Sequence, residues 1–188
     1  MRLVRTRTGI IFIMVVAAVL FPRDAAAQSI AQAGTWTATP FVGVSFGASN
    51  NLDSSLGVGV AVGYDLTSNL GFEGELGHVF DVVGDDDSVD WSLTTFSVNA
   101  LYHFDVRGGV TPYATFGLGW ERSSIDVDDP AAQTLPSSTE VAYNFGGGVK
   151  YELTDRVIAR ADLRRFQAND LAPDHWRVYG GLTIVVGR

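Results

Sequence analysis

An all-β fold, an eight-stranded antiparallel up-and-down transmembrane β-barrel preceded by a signal peptide, is what three features of this 188-residue sequence predict. Eight stretches alternate with period two, the signature of strands with two unlike faces. The connections between them alternate short and long. One face of every stretch is apolar and aromatic, whereas the other mixes glycine, hydroxyls and full charges, in a chain with a single lysine.

Residues 1–8 carry Arg2, Arg5 and Arg7, and an apolar run of thirteen residues follows at 9–21. A membrane-spanning helix needs about 20 residues, so this run is too short to be one. Ala25, Ala26 and Ala27 then supply a small-residue cleavage site, completing the pattern of a secretory signal peptide over 1–27. Ala31-Gln32-Ala33 is a second possible cut. After the first, a short segment, 28–38, precedes a barrel domain over 39–188. The remaining 161 residues carry nine basic and twenty acidic groups, a net charge of −11, which makes nucleic acid a poor partner. No cysteine is present, so disulfides hold nothing together. No later apolar run suits a spanning helix, and any membrane residence must come from strands.

In chain order the expected strands are 39–47, 55–64, 70–80, 91–104, 110–122, 141–153, 157–166 and 176–186. A tilted strand crosses a bilayer in about nine to eleven residues. Three connections, 65–69, 105–109 and 154–156, are short and rich in turn formers. The other four, 48–54, 81–90, 123–138 and 167–175, are longer and polar. An even strand count leaves both termini on the short-turn side, the periplasm if the barrel sits in an outer membrane.

The clearest alternation runs from Val141 to Phe166, broken at Thr154-Asp155-Arg156. Val141, Tyr143, Phe145, Val149, Tyr151 and Leu153 share one face; Asn144, Gly146, Gly148, Lys150 and Glu152 share the other. An arginine on the lipid side at mid-depth costs about 2–4 kcal/mol. Glu73, Glu75, Glu121, Lys150, Glu152, Arg160, Asp162, Arg164 and Arg177 all lie on the polar face, so that face must turn inward. There they are expected to form an ion-pair network, with Glu152 opposite or diagonal to Arg160 and Lys150 to Asp162, while Glu73, Glu75 and Glu121 reach Arg160, Arg164 or Arg177 across the lumen. Tyr113 and Tyr179 add hydroxyls. An eight-stranded interior is just wide enough to be filled by side chains, and glycines such as Gly57, Gly59 and Gly63 leave room for long ones. On the apolar face Tyr64, Phe72, Tyr102, Phe104 and Tyr151 gather near the short turns, and Phe46, Phe80, Trp120, Tyr143 and Trp176 near the long loops. Two aromatic girdles are what the two membrane interfaces select. Arg165 falls on the apolar face at the long-loop end, placed either to meet lipid phosphate or to sit in water at the rim.

Three stretches, 70–77 (LGFEGELG), 110–120 (VTPYATFGLGW) and 145–151 (FGGGVKY), resemble the third, fifth and sixth strands of the small OmpA-like eight-stranded outer-membrane barrels. The closing 179–186 (YGGLTIVV) is similar to that family's assembly signal, but Gly187-Arg188 follow it without a terminal aromatic. The resemblance covers 40–186. It implies an outer-membrane location, recognition by the assembly machinery, and outer-membrane lipid with lipopolysaccharide as surroundings. It does not imply wall tethering, since no peptidoglycan-binding stretch follows the barrel.

Two barrels of this size that the chain resembles are lipid A enzymes. A deacylase-type site needs His and Ser two apart on one face, and His78, His103 and His175 have no such serine. The acidic stretches 84–90 and 126–129 are candidates for Ca²⁺ or Mg²⁺, though no EF-hand spacing is present, and solvated loops are the plainer reading. The expectation is a monomeric, cofactor-free, non-enzymatic outer-membrane barrel that supports envelope integrity or presents surface loops. The alternatives are a narrow gated channel, an adhesin or recognition barrel, and a soluble lipocalin-like carrier with the same faces inverted.

Overall fold

A computed structural model describes residues 32–47, 54–80, 89–106, 109–127, 137–168 and 174–187. The expected signal peptide and most of the long connections, with the acidic stretch 84–90 and the end of 126–129, lie outside the described residues or their described side chains. Eight strands follow one another: β1 (Thr35–Phe46), β2 (Ser55–Asp65), β3 (Leu70–Val79), β4 (Val89–His103), β5 (Val110–Val127), β6 (Ser138–Thr154), β7 (Val157–Ala168) and β8 (His175–Gly187). Each pairs antiparallel with the next, and β8 returns to β1, so the sheet is a closed barrel without an open edge. Closure satisfies every strand's hydrogen-bonding groups within the wall, the condition that hydrocarbon imposes.

Several strand ends differ from the sequence expectation, β6 among them, which starts at Ser138 rather than 141. β1 begins at Thr35 rather than 39, because Thr35, Thr37 and Thr39 are buried while Trp36 points out, continuing the alternation into what read as an N-terminal segment. β4 and β5 run past their expected ends and pair from Val89↔Val127 through Leu93↔Ser123, so part of two expected loops is hairpin.

The short turns are fixed by side chains. Thr67 Oγ1 accepts from the backbone N–H of Asn69 (3.2 Å) and Leu70 (2.9 Å). Asn69 Nδ2 donates to His103 O and Asp105 Oδ2, at 3.1 and 3.0 Å, tying this turn to the next. Between β6 and β7, Thr154 Oγ1 accepts from Arg156 N and Val157 N, at 3.3 and 3.1 Å, beside a register shift at Glu152/Thr154. That shift sets Lys150 opposite Arg160 and Glu152 opposite Ile158.

The faces sort as the charge argument requires. Val58, Val98 and Ile184 are 40, 54 and 43 % exposed on the outer wall, while Glu73 and Arg160 are each 4 % exposed inside. A lipocalin-like barrel, with these valines at its centre, is therefore not the fold. Val98 pairs with Gly74 and Leu118 halfway along the wall. Val98→Arg should lower the unfolding free energy by about 2–4 kcal/mol in denaturant titrations of the barrel in lipid vesicles; a cost near zero would mean that lipid does not wet this face.

Candidate functional site: the inward-facing ion-pair cluster

Three strands that are not all neighbours bring the cluster together. β3 contributes Glu73 and Glu75, β7 contributes Arg160, Asp162 and Arg164, and β8 contributes Arg177 and Tyr179. Each set sits two residues apart because period-two alternation returns to the same face. Arg160 grips Glu73 with both terminal nitrogens, Nη1 to Oε2 and Nη2 to Oε1 (3.0 Å). It also donates from Nε to Asp162 Oδ2 at 2.7 Å and to Tyr113 Oη at 2.7 Å. Arg164 donates to Glu75 Oε2 (3.0 Å), Glu73 Oε1 (3.2 Å) and Asp162 Oδ1 (3.1 Å). Arg177 completes the chain through Nη2 to Glu75 Oε1, and Tyr179 Oη donates to Glu75 Oε2 at 3.1 Å.

The result alternates in sign, Arg160–Glu73–Arg164–Glu75–Arg177, with Asp162 bridging the first two guanidiniums. Three cations face three carboxylates, and every member is at most 4 % exposed. Planar forks suit such bidentate pairing, and aromatic faces cover them. The Arg160 guanidinium lies 5.2 Å from the Tyr113 ring centre, that of Arg164 5.3 Å from Tyr179, and that of Arg177 4.2 Å from Phe166 and 5.4 Å from Phe41. Glycine opens the room. A Cβ on Gly77 would stand 2.8 Å from Arg177 Nη1, and one on Gly148 2.6 Å from Tyr113 Oη.

The remaining sequence candidates are placed differently. Lys150 is buried, yet its recorded bond is with His103 Nε2 at 2.9 Å, not with Asp162. Asp162 is already held by two arginines on its own strand, and Arg160 reaches across the lumen to Glu73 instead of along the hairpin to Glu152. Glu152 is half-buried near the turn and forms no ion pair with a described residue. Glu121 stays outside the cluster: it faces His175 Nε2 at 3.8 Å, and His175 lies flat on Phe166, ring centres 5.0 Å apart. Phe41, Phe166, Thr95 and the His175 pairing are absent from the expected set. Their inward parity was readable, since Phe166 follows Arg164 by two and Phe41 follows Thr39 by two, but apolar rings among charges gave no chemical signal.

The aromatic residues expected as girdles all point outward or sideways from the wall. Phe72, Tyr102 and Phe104 are exposed near the short turns, with Tyr64 and Tyr151 half-buried, and Trp36 joins them 4.9 Å from Tyr64. Phe46, Phe80, Trp120, Tyr143 and Trp176 are exposed near the other end. Arg165 is tied to Asp174 at 3.0 Å and stacks over Trp176 at 5.6 Å, so its charge is already met within the protein.

Among the described residues, no three His, Asp or Glu side chains converge as metal ligands. Residues 13–182 match the family described as the outer membrane protein beta-barrel domain. Neisserial surface protein A aligns at TM-score 0.67 and 20 % identity over 81 % of this chain and 97 % of that one. The N-terminal β-barrel domain of Pseudomonas aeruginosa OprF aligns at 0.59 and 22 % identity, over 81 and 97 %. Ail, the attachment invasion locus protein of Yersinia pestis, aligns at 0.58 and 15 % identity, over 81 and 100 %. No curated protein matches the sequence.

Breaking a buried ion pair from one side leaves an uncompensated charge, at about 3–5 kcal/mol. Glu73→Ala, which takes one carboxylate from Arg160 and Arg164 and leaves three buried cations facing two carboxylates, should destabilise the barrel on that scale in denaturant titrations. Lys150→Met, which removes a charge that forms no direct ion pair with a carboxylate among the described residues, should cost at least about 2 kcal/mol less than Glu73→Ala. Equal losses would contradict the assignment of Lys150 to a place outside the cluster.

Proposed function

The chain belongs to the outer membrane protein β-barrel family, and from that premise we propose that it is a non-enzymatic outer-membrane barrel whose lumen is filled by side chains. Its role on this reading is to support the envelope and present loops at the cell surface, with both termini in the periplasm. The observation that carries it is the balanced cluster of three arginines and three carboxylates reaching from β3 to β7 and β8. An eight-stranded interior leaves little room beside such side chains. A solute passing through would have to separate pairs that are buried and hydrogen-bonded on several sides, at several kcal/mol.

The histidines support the non-enzymatic half of the proposal. Lys150 occupies the Nε2 of His103, His78 bonds Thr94 on the outer wall, and His175 faces Glu121 and stacks on Phe166, contacts that differ from the histidine–serine pairing a deacylase uses. A second reading, surface recognition, draws on the β4–β5 hairpin. This hairpin continues for four paired positions beyond Ser123, where β5 last pairs β6. Neisserial surface protein A and Ail are named as a surface and an attachment invasion protein, respectively. Paired strands projecting from the rim of this barrel would hold its loops away from the lipid surface.

Membrane fractionation and planar-bilayer recording together test the proposal. The protein should appear in the outer-membrane fraction, shift its gel mobility on heating, and give no steady conductance of porin size. Steady porin-like steps from the folded protein would overturn the filled lumen, and brief, rare openings would favour a gated channel.

A further inference from the structure

The outer wall carries a second pattern at the long-loop end of β3 to β6. Strand register places His78 beside Thr94, Thr94 beside Arg122, and Arg122 beside Thr139, making one polar row across four strands. The row directly beneath, one outward position toward the middle of the wall, is Leu76, Phe96, Trp120 and Val141, again in register and all exposed. Phe96 and Trp120 stack with ring centres 5.8 Å apart. Polar side chains thus sit immediately on an apolar and aromatic ledge.

Arg122 differs from the other arginine on this wall. Arg165 has Asp174, whereas Arg122 is exposed and its recorded bond is to a neutral acceptor, Ser137 Oγ at 3.2 Å. His78 Nδ1 bonds Thr94 Oγ1 at 2.9 Å. When the threonine hydroxyl donates to Nδ1, the other ring nitrogen carries the proton and becomes a donor. Two nitrogen donors, with threonine and serine hydroxyls between and beside them, stand two strand spacings apart, roughly 10 Å.

We propose that this row, His78, Thr94, Arg122 and Thr139 with Ser137, is a binding site for the phosphorylated disaccharide headgroup of lipopolysaccharide. The proposal rests on the outer-membrane reading above, which turns the long-loop end toward the outer leaflet. Charge complementarity identifies the ligand class: a guanidinium that no carboxylate meets among the described residues, at the boundary between an aromatic ledge and water, is met by a phosphate oxygen with a charge-assisted bond. The spacing selects a headgroup as wide as a disaccharide over a single glycerophosphate, whose one phosphate would reach Arg122 or His78 but not both. Leu76, Phe96, Trp120 and Val141 lie where the acyl chains below that headgroup would run.

Full-length protein in detergent micelles can be titrated with the bisphosphorylated disaccharide lipid, the same lipid stripped of phosphate, and phosphatidylglycerol, with bound lipid counted by native mass spectrometry. The bisphosphorylated lipid should bind at least tenfold more tightly than either of the others. Arg122→Gln should remove at least tenfold of that affinity, His78→Gln about threefold, and Arg165→Gln none. Heat-shifted gel mobility of each sample verifies that the barrel is folded, and the histidine variant reads the site independently should Arg122→Gln fold poorly. Unchanged binding in both site variants, an equal loss with Arg165→Gln, or equal binding of phosphatidylglycerol would overturn the site while leaving the barrel reading intact. A wild-type protein absent from the outer membrane would overturn both.

Discussion

The alternating chain Arg160–Glu73–Arg164–Glu75–Arg177 is the interaction around which the barrel is arranged. Ions that are this buried demand partners on nearly every side. The partners come from β3, β7 and β8, so the cluster is formed only when the sheet has curled far enough for β3 to face the other two. Closure of the wall and neutralisation of its charges are one event. The same closure supplies the backbone hydrogen bonds of β1 and β8, which would otherwise be open edges.

The inward-facing residues form zones along the axis. Near the short turns Lys150 meets His103, and the Asn69 side chain ties two neighbouring turns. The central zone holds the balanced cluster with Tyr113 and Tyr179. Toward the other end come Phe41 and Phe166, which cover Arg177, and then Glu121 facing His175. Between these zones neutral pairs fill space: Asn144 donates to Asn99 at 2.9 Å, and the Thr39 and Thr183 hydroxyls lie 2.8 Å apart. Bulky residues on some strands are answered by glycine on others, as Gly77 answers Arg177 and Gly148 answers Tyr113.

The outer wall is governed by a different solvent. Its middle is valine, leucine, alanine and phenylalanine, and its ends carry tyrosine and tryptophan, whose rings suit an apolar body with a polar tip at an interface. The two arginines at the long-loop end have different local company. Arg165 is enclosed by Asp174, Gln167 and Trp176, while Arg122 stands among hydroxyls.

Sequence alone determined the strands, their number and the direction of each face, because period-two alternation is a local property and the cost of a charge in hydrocarbon has one sign everywhere. It also grouped the cluster's Glu73, Glu75, Arg160, Asp162, Arg164 and Arg177 by their shared parity, but parity equally admitted Glu121, Lys150 and Glu152, which lie outside the cluster. Tertiary structure alone decided who pairs with whom. The bulge at Glu152/Thr154 and the curvature of the wall direct Arg160 across the lumen to Glu73, away from its hairpin neighbour Glu152. They leave Lys150 to His103 and Glu121 to His175. Distances across a closed barrel depend on register summed over all eight strands, a quantity that no single stretch of sequence contains.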